Sequence, residues 1–133
     1  MNISELFPAD FLPMVSERLT DMIEAGLGTR AAVLATVDGF LVASAQADAS
    51  DPDRIAALAS SIASIGTVAT HEAGLGQCSS VILNTARGFA VVRQFRLHGH
   101  DLVLISVADG SALLAQVLYQ ANEWVKHMEA VAA

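Results

Sequence analysis

Residues 31–46 read AAVLATVDGFLVASAQ, two apolar runs on either side of an Asp38-Gly39 pair. Asp-Gly is the preferred pair for a two-residue turn between antiparallel strands, with both residues at positive φ. The alanines lower the β-propensity of the two runs and would also suit a helix. The central glycine and the β-branched neighbours argue against one continuous helix. This stretch therefore predicts a β-hairpin.

Helical periodicity is present on both sides of this hairpin. Upstream, apolar residues recur at helical spacing over residues 11–25, with Asp10 as a candidate N-cap and two glycines just beyond the end. Downstream, residues 51–53 read Asp-Pro-Asp, which supplies an N-cap, a proline at the first helical position and an acid that the helix dipole favours. The second helix is predicted to end at about residue 72 or 73.

Three further apolar runs occupy residues 79–84, 89–95 and 101–107, and short links that contain glycine separate them. Such links predict antiparallel hairpins. Several of the runs are apolar at both alternating sets of positions, as expected for strands covered on both faces. A closing helix is predicted to begin at residues 109–111. The order of elements is α-ββ-α-βββ-α, an α/β (α+β) fold.

Composition limits the class of protein. The 133 residues predict a single domain over residues 1–133, with residues 1–10 as a flexible N-terminal segment. Apolar residues make up 53% of the chain and charged residues 16%, so a lone small globule would expose much apolar surface and self-association is expected. The net charge of −7 opposes binding to nucleic acid and to anionic membranes.

Location is predicted from what the sequence lacks. No apolar stretch approaches the roughly 18–20 residues that span a bilayer, and the first residues do not follow the pattern of a secretion signal. The single cysteine, Cys78, cannot form an internal disulfide. We therefore expect a cytoplasmic protein with no membrane insertion.

The motifs that suggest chemistry are weak. Residues 74–76, Gly-Leu-Gly, follow a helix and lack the Lys-Ser or Lys-Thr of a nucleotide loop, so a helix stop is favoured. Residues 98–101, His-Gly-His-Asp, could approach a metal, but a polar turn with Gly99 at positive φ is favoured over metal binding. Cys78 has no base or orienting group placed beside it, so a small buried hydrophobe is expected there. We expect no catalytic residue, no cofactor and no metal.

Three of the seven basic residues, Arg87, Arg93 and Arg96, lie in one predicted hairpin. Arginine is well suited to carboxylate recognition, so these residues are candidates for contact with an acidic partner. A solvated strand face that discourages edge pairing is the favoured alternative.

The helix from Asp53 to Glu72 is the strongest candidate for an interaction surface. It carries an apolar ridge and neighbouring rows of small residues; these are Ile55, Leu58, Ile62 and Ile65, and Ala59, Ala63 and Gly66. The ridge can pack on a sheet, while the small residues permit another backbone to approach closely. The alternative is that both serve the core of one protomer, and the assignment of stripes to the sheet stays open.

This order of elements, Val37-Asp38-Gly39 followed by an apolar strand, and a long helix ending in glycine-rich sequence resemble the Roadblock family from about Arg18 to Met128. The resemblance implies a profilin-like five-stranded antiparallel sheet with the central helix on one face and the terminal helices on the other. It also implies a homodimer in which the central helix and the third strand meet their counterparts. The residues it places in or beside that interface are Ile55, Leu58, Ala59, Ile62, Ala63, Ile65, Gly66, Ser79, Val81 and Leu83.

Roadblock proteins act as dynein-associated light chains, as subunits of lysosomal signalling scaffolds, and in bacteria as partners or activators of Ras-like GTPases. The alanine-rich composition and the short chain are most similar to the bacterial class. We therefore expect a non-enzymatic homodimeric module that binds or regulates a small Ras-like GTPase or scaffolds a signalling complex. The alternative is a small-ligand sensor of profilin-like architecture, with a pocket between sheet and helix.

Overall fold

A five-stranded antiparallel sheet lies between two layers of helix in the computed structural model, which describes residues 3–132. The elements are a short 3-10 helix (Ile3–Glu5), α1 (Phe11–Glu24), β1 (Thr29–Thr36), β2 (Leu41–Gln46), α2 (Pro52–Glu72), β3 (Val81–Thr85), β4 (Gly88–Leu97), β5 (His100–Asp109) and α3 (Leu114–Ala132). The sheet has the order β2-β1-β5-β4-β3, so β2 and β3 are its edge strands. The predicted order of elements and the predicted sheet are confirmed.

The sheet separates two apolar cores. One core lies under α1 and α3, and its fully buried members include Val15, Leu19, Leu34, Leu102, Leu104, Val117 and Val125. The other lies under α2 and contains Val33, Ala35, Ala56, Ala59, Ala63, Val92, Val103 and Ile105. Because successive side chains of a strand point to opposite faces, a sheet with helices on both sides needs apolar residues at both sets of positions. The faces assigned to the central and terminal helices are as predicted.

The β1–β2 connection differs from the predicted two-residue turn. The Gly39 N–H donates to the Thr36 carbonyl at 3.0 Å, and the Thr36 N–H donates to the Phe40 carbonyl at 2.9 Å. Gly39 has a φ of 92°, whereas Asp38 is not among the described residues with positive φ. The loop thus has three residues, 37–39, and its last residue is a glycine in the left-handed conformation, which is a common type of three-residue hairpin loop. The reason is non-local: the Val37 N–H donates to Asp101 of β5, so Val37 does not pair with β2.

The two-residue turn occurs instead between β4 and β5. His98 and Gly99 have φ values of 50° and 77°, and Leu97 pairs with His100 across them. Positive φ at both central residues matches the twist of antiparallel strands. The predicted polar turn with Gly99 at positive φ is confirmed.

The helix ends agree with the sequence signals only in part. The Asp51 side chain caps α2 by accepting from the Asp53 N–H at 3.1 Å, as predicted, whereas Asp10 makes no side-chain cap for α1. The closing helix begins at Leu114, later than predicted, because Asp109 ends β5 and its carboxylate accepts from the Ser111 N–H at 2.9 Å. The Ser111 hydroxyl and backbone N–H hold the pKa of the Asp109 carboxyl below its usual value. Asp109 therefore acts as a turn residue.

One buried hydroxyl predicts a stabilising substitution. Ser106 is fully buried in β5, and its Oγ has no hydrogen-bond partner among residues 3–132. An unpaired buried hydroxyl costs roughly 1–3 kcal/mol. We expect Ser106→Ala to raise the free energy of unfolding by about 1 kcal/mol, measured by urea denaturation.

The control for this substitution is Thr29→Val, which removes a buried hydroxyl that donates to Gln120 at 3.0 Å. Thr29→Val should lower the free energy of unfolding by about 1 kcal/mol. A loss of similar size in Ser106→Ala would show that Ser106 has a partner, such as a buried water.

Candidate interaction surface

Small residues of α2 face the sheet of the same protomer. Ala56 and Ala59 are fully buried and Ala63 is 6% exposed, and all three pack against β1, β4 and β5. Small side chains allow the helix to lie close to the strands. Gly66 continues this stripe, because a Cβ at that position would lie 2.5 Å from Cγ2 of Val81 in β3. Ala59, Ala63 and Gly66 are therefore covered within one protomer.

This arrangement decides which stripe of α2 faces the sheet, a question that the sequence leaves open. The small residues pack on the sheet, whereas the aliphatic residues lie at the margin of the core or project from it, with Leu58 55% exposed and Ile65 68% exposed. Because an aliphatic ridge and an alanine row are both apolar, the spacing alone does not decide which one faces the sheet.

Four large aliphatic residues form one stripe along α2, which we call the α2 ridge: Ile55, Leu58, Ile62 and Ile65. Ile55 and Ile62 are half-buried at the margin of the α2 core, and Leu58 and Ile65 project from it. Residues three and four positions apart lie on one side of a helix, so these four are continuous. A contiguous exposed apolar patch marks an interaction surface.

The edge strand β3 lies next to α2, at the point where Val81 meets Gly66. Among the described residues β3 pairs with β4 alone, so the backbone groups on its other side are open. Ile82 and Leu83 are each 41% exposed. The strand has no proline or charged residue, the usual means of discouraging pairing at an edge. The edge is therefore available to another strand.

The three residues predicted for the interface on the third strand do not all lie in that strand. Strand alternation places Leu83 on the same face as Val81, which is the face that α2 covers. Ser79 precedes β3, which begins at Val81. The structure therefore places Val81 against α2, Leu83 on the same face of the sheet, and Ser79 in the connecting loop.

The three arginines of the hairpin do not form one surface. Arg93 and Arg96 are three residues apart in β4 and so point to opposite faces of the sheet. Arg93 donates from Nε to the Asn122 side chain of α3 at 2.9 Å, whereas Arg96 pairs with Asp101 of β5 at 3.1 Å. Arg87 is exposed in the β3–β4 turn. A joint contact of Arg87, Arg93 and Arg96 with one partner surface is thus not supported by their positions.

A hollow lined by both polar and apolar residues lies on the other side of α2, and we call it the α2–β4 cleft. It comprises two adjoining cavities of about 580 and 210 Å³, both of which are lined by Thr67, Gln94 and Asp101. Further lining residues are Val37 of the β1–β2 loop, Ser60, Ala63, Ser64, Val68 and His71 of α2, Phe95 and Arg96 of β4, and Gly76, Gln77 and Cys78 of the loop before β3. Sequence reasoning did not identify this site, because its walls come from distant parts of the chain.

The residues considered for metal binding and catalysis are engaged in other contacts. His100 meets Phe7 edge-on at a ring distance of 5.3 Å, and His98 meets Phe11 in the same way at 5.4 Å. Within residues 3–132 no group of three His, Cys, Asp or Glu side chains is arranged to hold a metal ion. Cys78 is half-buried, and its Sγ lies 3.5 Å from the Ser80 carbonyl. No described helix has the length and apolar character needed to cross a membrane.

A family model described as the Roadblock/LC7 domain matches residues 16–95 of the sequence. Comparison with curated proteins gives no match. A solved structure of MglB with a tetrameric arrangement has a TM-score of 0.77 and 22% identity, over 95% of this chain and 92% of that chain. A Roadblock/LC7 domain from Streptomyces avermitilis has a TM-score of 0.74 and 23% identity, over 84% of this chain and 92% of that chain.

Profilin II from Acanthamoeba castellanii is also similar, with a TM-score of 0.51 and 15% identity, over 86% of this chain and 94% of that chain. At these identities the solved structures concern the fold. They confirm that the sheet and its helices have the predicted profilin-like arrangement.

Proposed function

The chain belongs to the Roadblock/LC7 domain family, and from that membership we propose that it is a non-enzymatic homodimeric module that binds or regulates a small Ras-like GTPase, or scaffolds a signalling complex that contains one. In this proposal the chain acts in the cytoplasm as a single domain. The observation that carries it is that α2, with its exposed ridge, meets the open edge strand β3 where Gly66 approaches Val81.

Two protomers related by a twofold axis would cover both features at once. Antiparallel pairing of β3 with the β3 strand of a second copy satisfies the open backbone groups of both edges. The same operation places the two α2 ridges side by side on one face of the joined sheets, because a twofold interface is self-complementary. Leu58, Ile65 and Leu83, which are exposed in one protomer, then become buried.

Such a dimer leaves the outward side of both α2 helices free. Helical spacing places Ser61 and Val68 on that side, opposite the alanine row. Val68 is 60% exposed, although it is a β-branched aliphatic residue. We assign the GTPase contact to this surface.

We expect one small Ras-like GTPase from the same genome to form a complex with this protein. Each GTPase is loaded with GDP or with a non-hydrolysable GTP analogue, and the mixtures are analysed by size-exclusion chromatography with light scattering. The Val68→Glu variant should weaken binding at least about tenfold without changing the mass of the free protein, because a charge replaces an exposed apolar contact.

Tyr119→Glu is the matched control, since Tyr119 is 66% exposed on α3, on the other face of the sheet. This variant should bind the GTPase as the parent protein does. The GTPase proposal is contradicted if no GTPase of that genome binds, and none changes its rate of hydrolysis, in the presence of the parent protein.

A further inference from the structure

The α2–β4 cleft has the dimensions of a small-molecule site. Its larger cavity, about 580 Å³, lies within the range of roughly 300–1,000 Å³ that ligand pockets usually occupy. It is closed on one side by α2, on another by β4 and β5, and at one end by the loop around Cys78. The two cavities adjoin each other, since Thr67, Gln94 and Asp101 line both of them.

The face of β4 that α2 covers changes from apolar to polar where the strand reaches the cleft. On the face of β4 that α2 covers, the residues run Ala90, Val92, Gln94 and Arg96, so apolar side chains give way to polar ones. The Gln94 side-chain amide makes no hydrogen bond to other described residues, and neither does the His71 imidazole. The cleft therefore presents uncommitted donors and acceptors.

Two opposite charges stand next to each other at the wall of the cleft. Arg96 and Asp101 are cross-strand neighbours, and one Nη1 of Arg96 lies 3.1 Å from Oδ1 of Asp101. The guanidinium keeps further N–H donors free, and the carboxylate keeps lone pairs free. A simple anion would be repelled by Asp101 and a simple cation by Arg96, whereas a molecule that carries both charges a few ångströms apart is complementary to the pair.

We propose that the α2–β4 cleft binds a free α-amino acid or a similarly small zwitterion. Arg96 holds the carboxylate through paired N–H donors, and Asp101 holds the ammonium group. The ligand's side chain extends towards Gln94, Thr67 and His71. Since the Arg96 and Asp101 side chains are 65% and 47% exposed, water weakens these contacts, and we expect half-saturation at a concentration on the order of millimolar.

This site is separate from the proposed dimer contact. Ser60, Ser64, Thr67 and His71 lie on the side of α2 opposite the α2 ridge, since the two sets are about half a helical turn apart. Ligand binding and dimerisation can therefore be tested independently with different variants.

The test uses the full chain labelled with 15N and the common amino acids as individual probes. We expect at least one of them to shift the backbone amide signals of Thr67, His71, Gln94 and Asp101 in a saturable manner. The N-acetyl form and the amide of the same amino acid should bind at least about tenfold more weakly, because each lacks one of the two charges. Equal binding of these blocked forms, or no saturable shift with any amino acid, would overturn the proposal.

Variants identify the charged groups that bind the probe. Arg96→Gln and Asp101→Asn should each lower the affinity at least about tenfold, while Arg87→Gln, an exposed arginine outside the cleft, should leave it unchanged. Circular dichroism shows whether each variant is folded. A folded Arg96→Gln variant that binds the amino acid as well as the parent protein would contradict the assignment.

Discussion

An Ile65→Asp variant is expected to be a folded monomer. Ile65 is 68% exposed in the protomer, so the substitution should change the protomer's own free energy of unfolding by less than about 1 kcal/mol. In the proposed dimer the same side chain lies between two α2 helices. A carboxylate buried there without a partner costs roughly 3–5 kcal/mol, and twofold symmetry introduces it twice.

We therefore expect the dissociation constant of the dimer to rise at least about 100-fold in Ile65→Asp. Light scattering over a range of concentrations measures the constant, and circular dichroism shows whether the fold is kept. Tyr119→Asp is the matched control, because Tyr119 is 66% exposed but lies on α3. If Ile65→Asp stays dimeric at the concentrations where the parent protein does, the α2 ridge is not the interface.

An Ala59→Asp variant is expected to lose the protomer fold itself. Ala59 is fully buried between α2 and the sheet, in contact with a core that contains Val33 and Val103. A carboxylate at this position has no polar partner in that core, and its burial costs several kcal/mol. We expect the free energy of unfolding to fall by at least about 3 kcal/mol, a large part of the stability of a typical domain.

Ala57→Asp provides a control in the same helix two residues away. Ala57 is exposed, so this variant should lose less than about 1 kcal/mol, mostly through the lower helix propensity of aspartate. Urea denaturation measures both variants. If Ala59→Asp unfolds like the parent protomer and only its dimer is weakened, then the alanine row is the interface and the assignment of the two stripes must be exchanged.

Much of the fold could be predicted from local signals. Asp51-Pro52 begins α2 where the capping pattern indicates, and the glycine-containing links separate the last three strands. These features depend on the conformational preferences of a few adjacent residues. The β1–β2 loop could not be predicted in this way, because the Val37 N–H bonds to Asp101, which is 64 positions later in the chain.

The sequence does not predict which side of α2 faces the sheet, and the reason is different from that for the β1–β2 loop. The alanine row and the aliphatic ridge of α2 are both apolar. The alanine row is covered by the sheet, whereas the ridge projects as a patch that we assign to contact with a second copy. A periodic pattern separates apolar from polar positions, but it does not separate two apolar surfaces that serve different contacts. A large exposed residue such as Ile65 is recognisable only once the sheet is in place.

The spacing of the arginines in the β4 sequence is enough to predict that they do not share one surface. Arg93 and Arg96 are three positions apart, and residues an odd number of positions apart in a strand point to opposite faces of the sheet. Strand alternation alone therefore predicts that Arg93 and Arg96 cannot contact the same partner surface. The α2–β4 cleft had only a weak signal, the change from Val92 to Gln94 and Arg96 along one face of β4.

The central claim is that the α2 ridge and the β3 edge join two copies of this chain. The most direct measurement is the mass of the parent protein in solution, by light scattering at micromolar concentration. We predict twice the chain mass of 13.9 kDa. A mass equal to that of a single chain would contradict the claim.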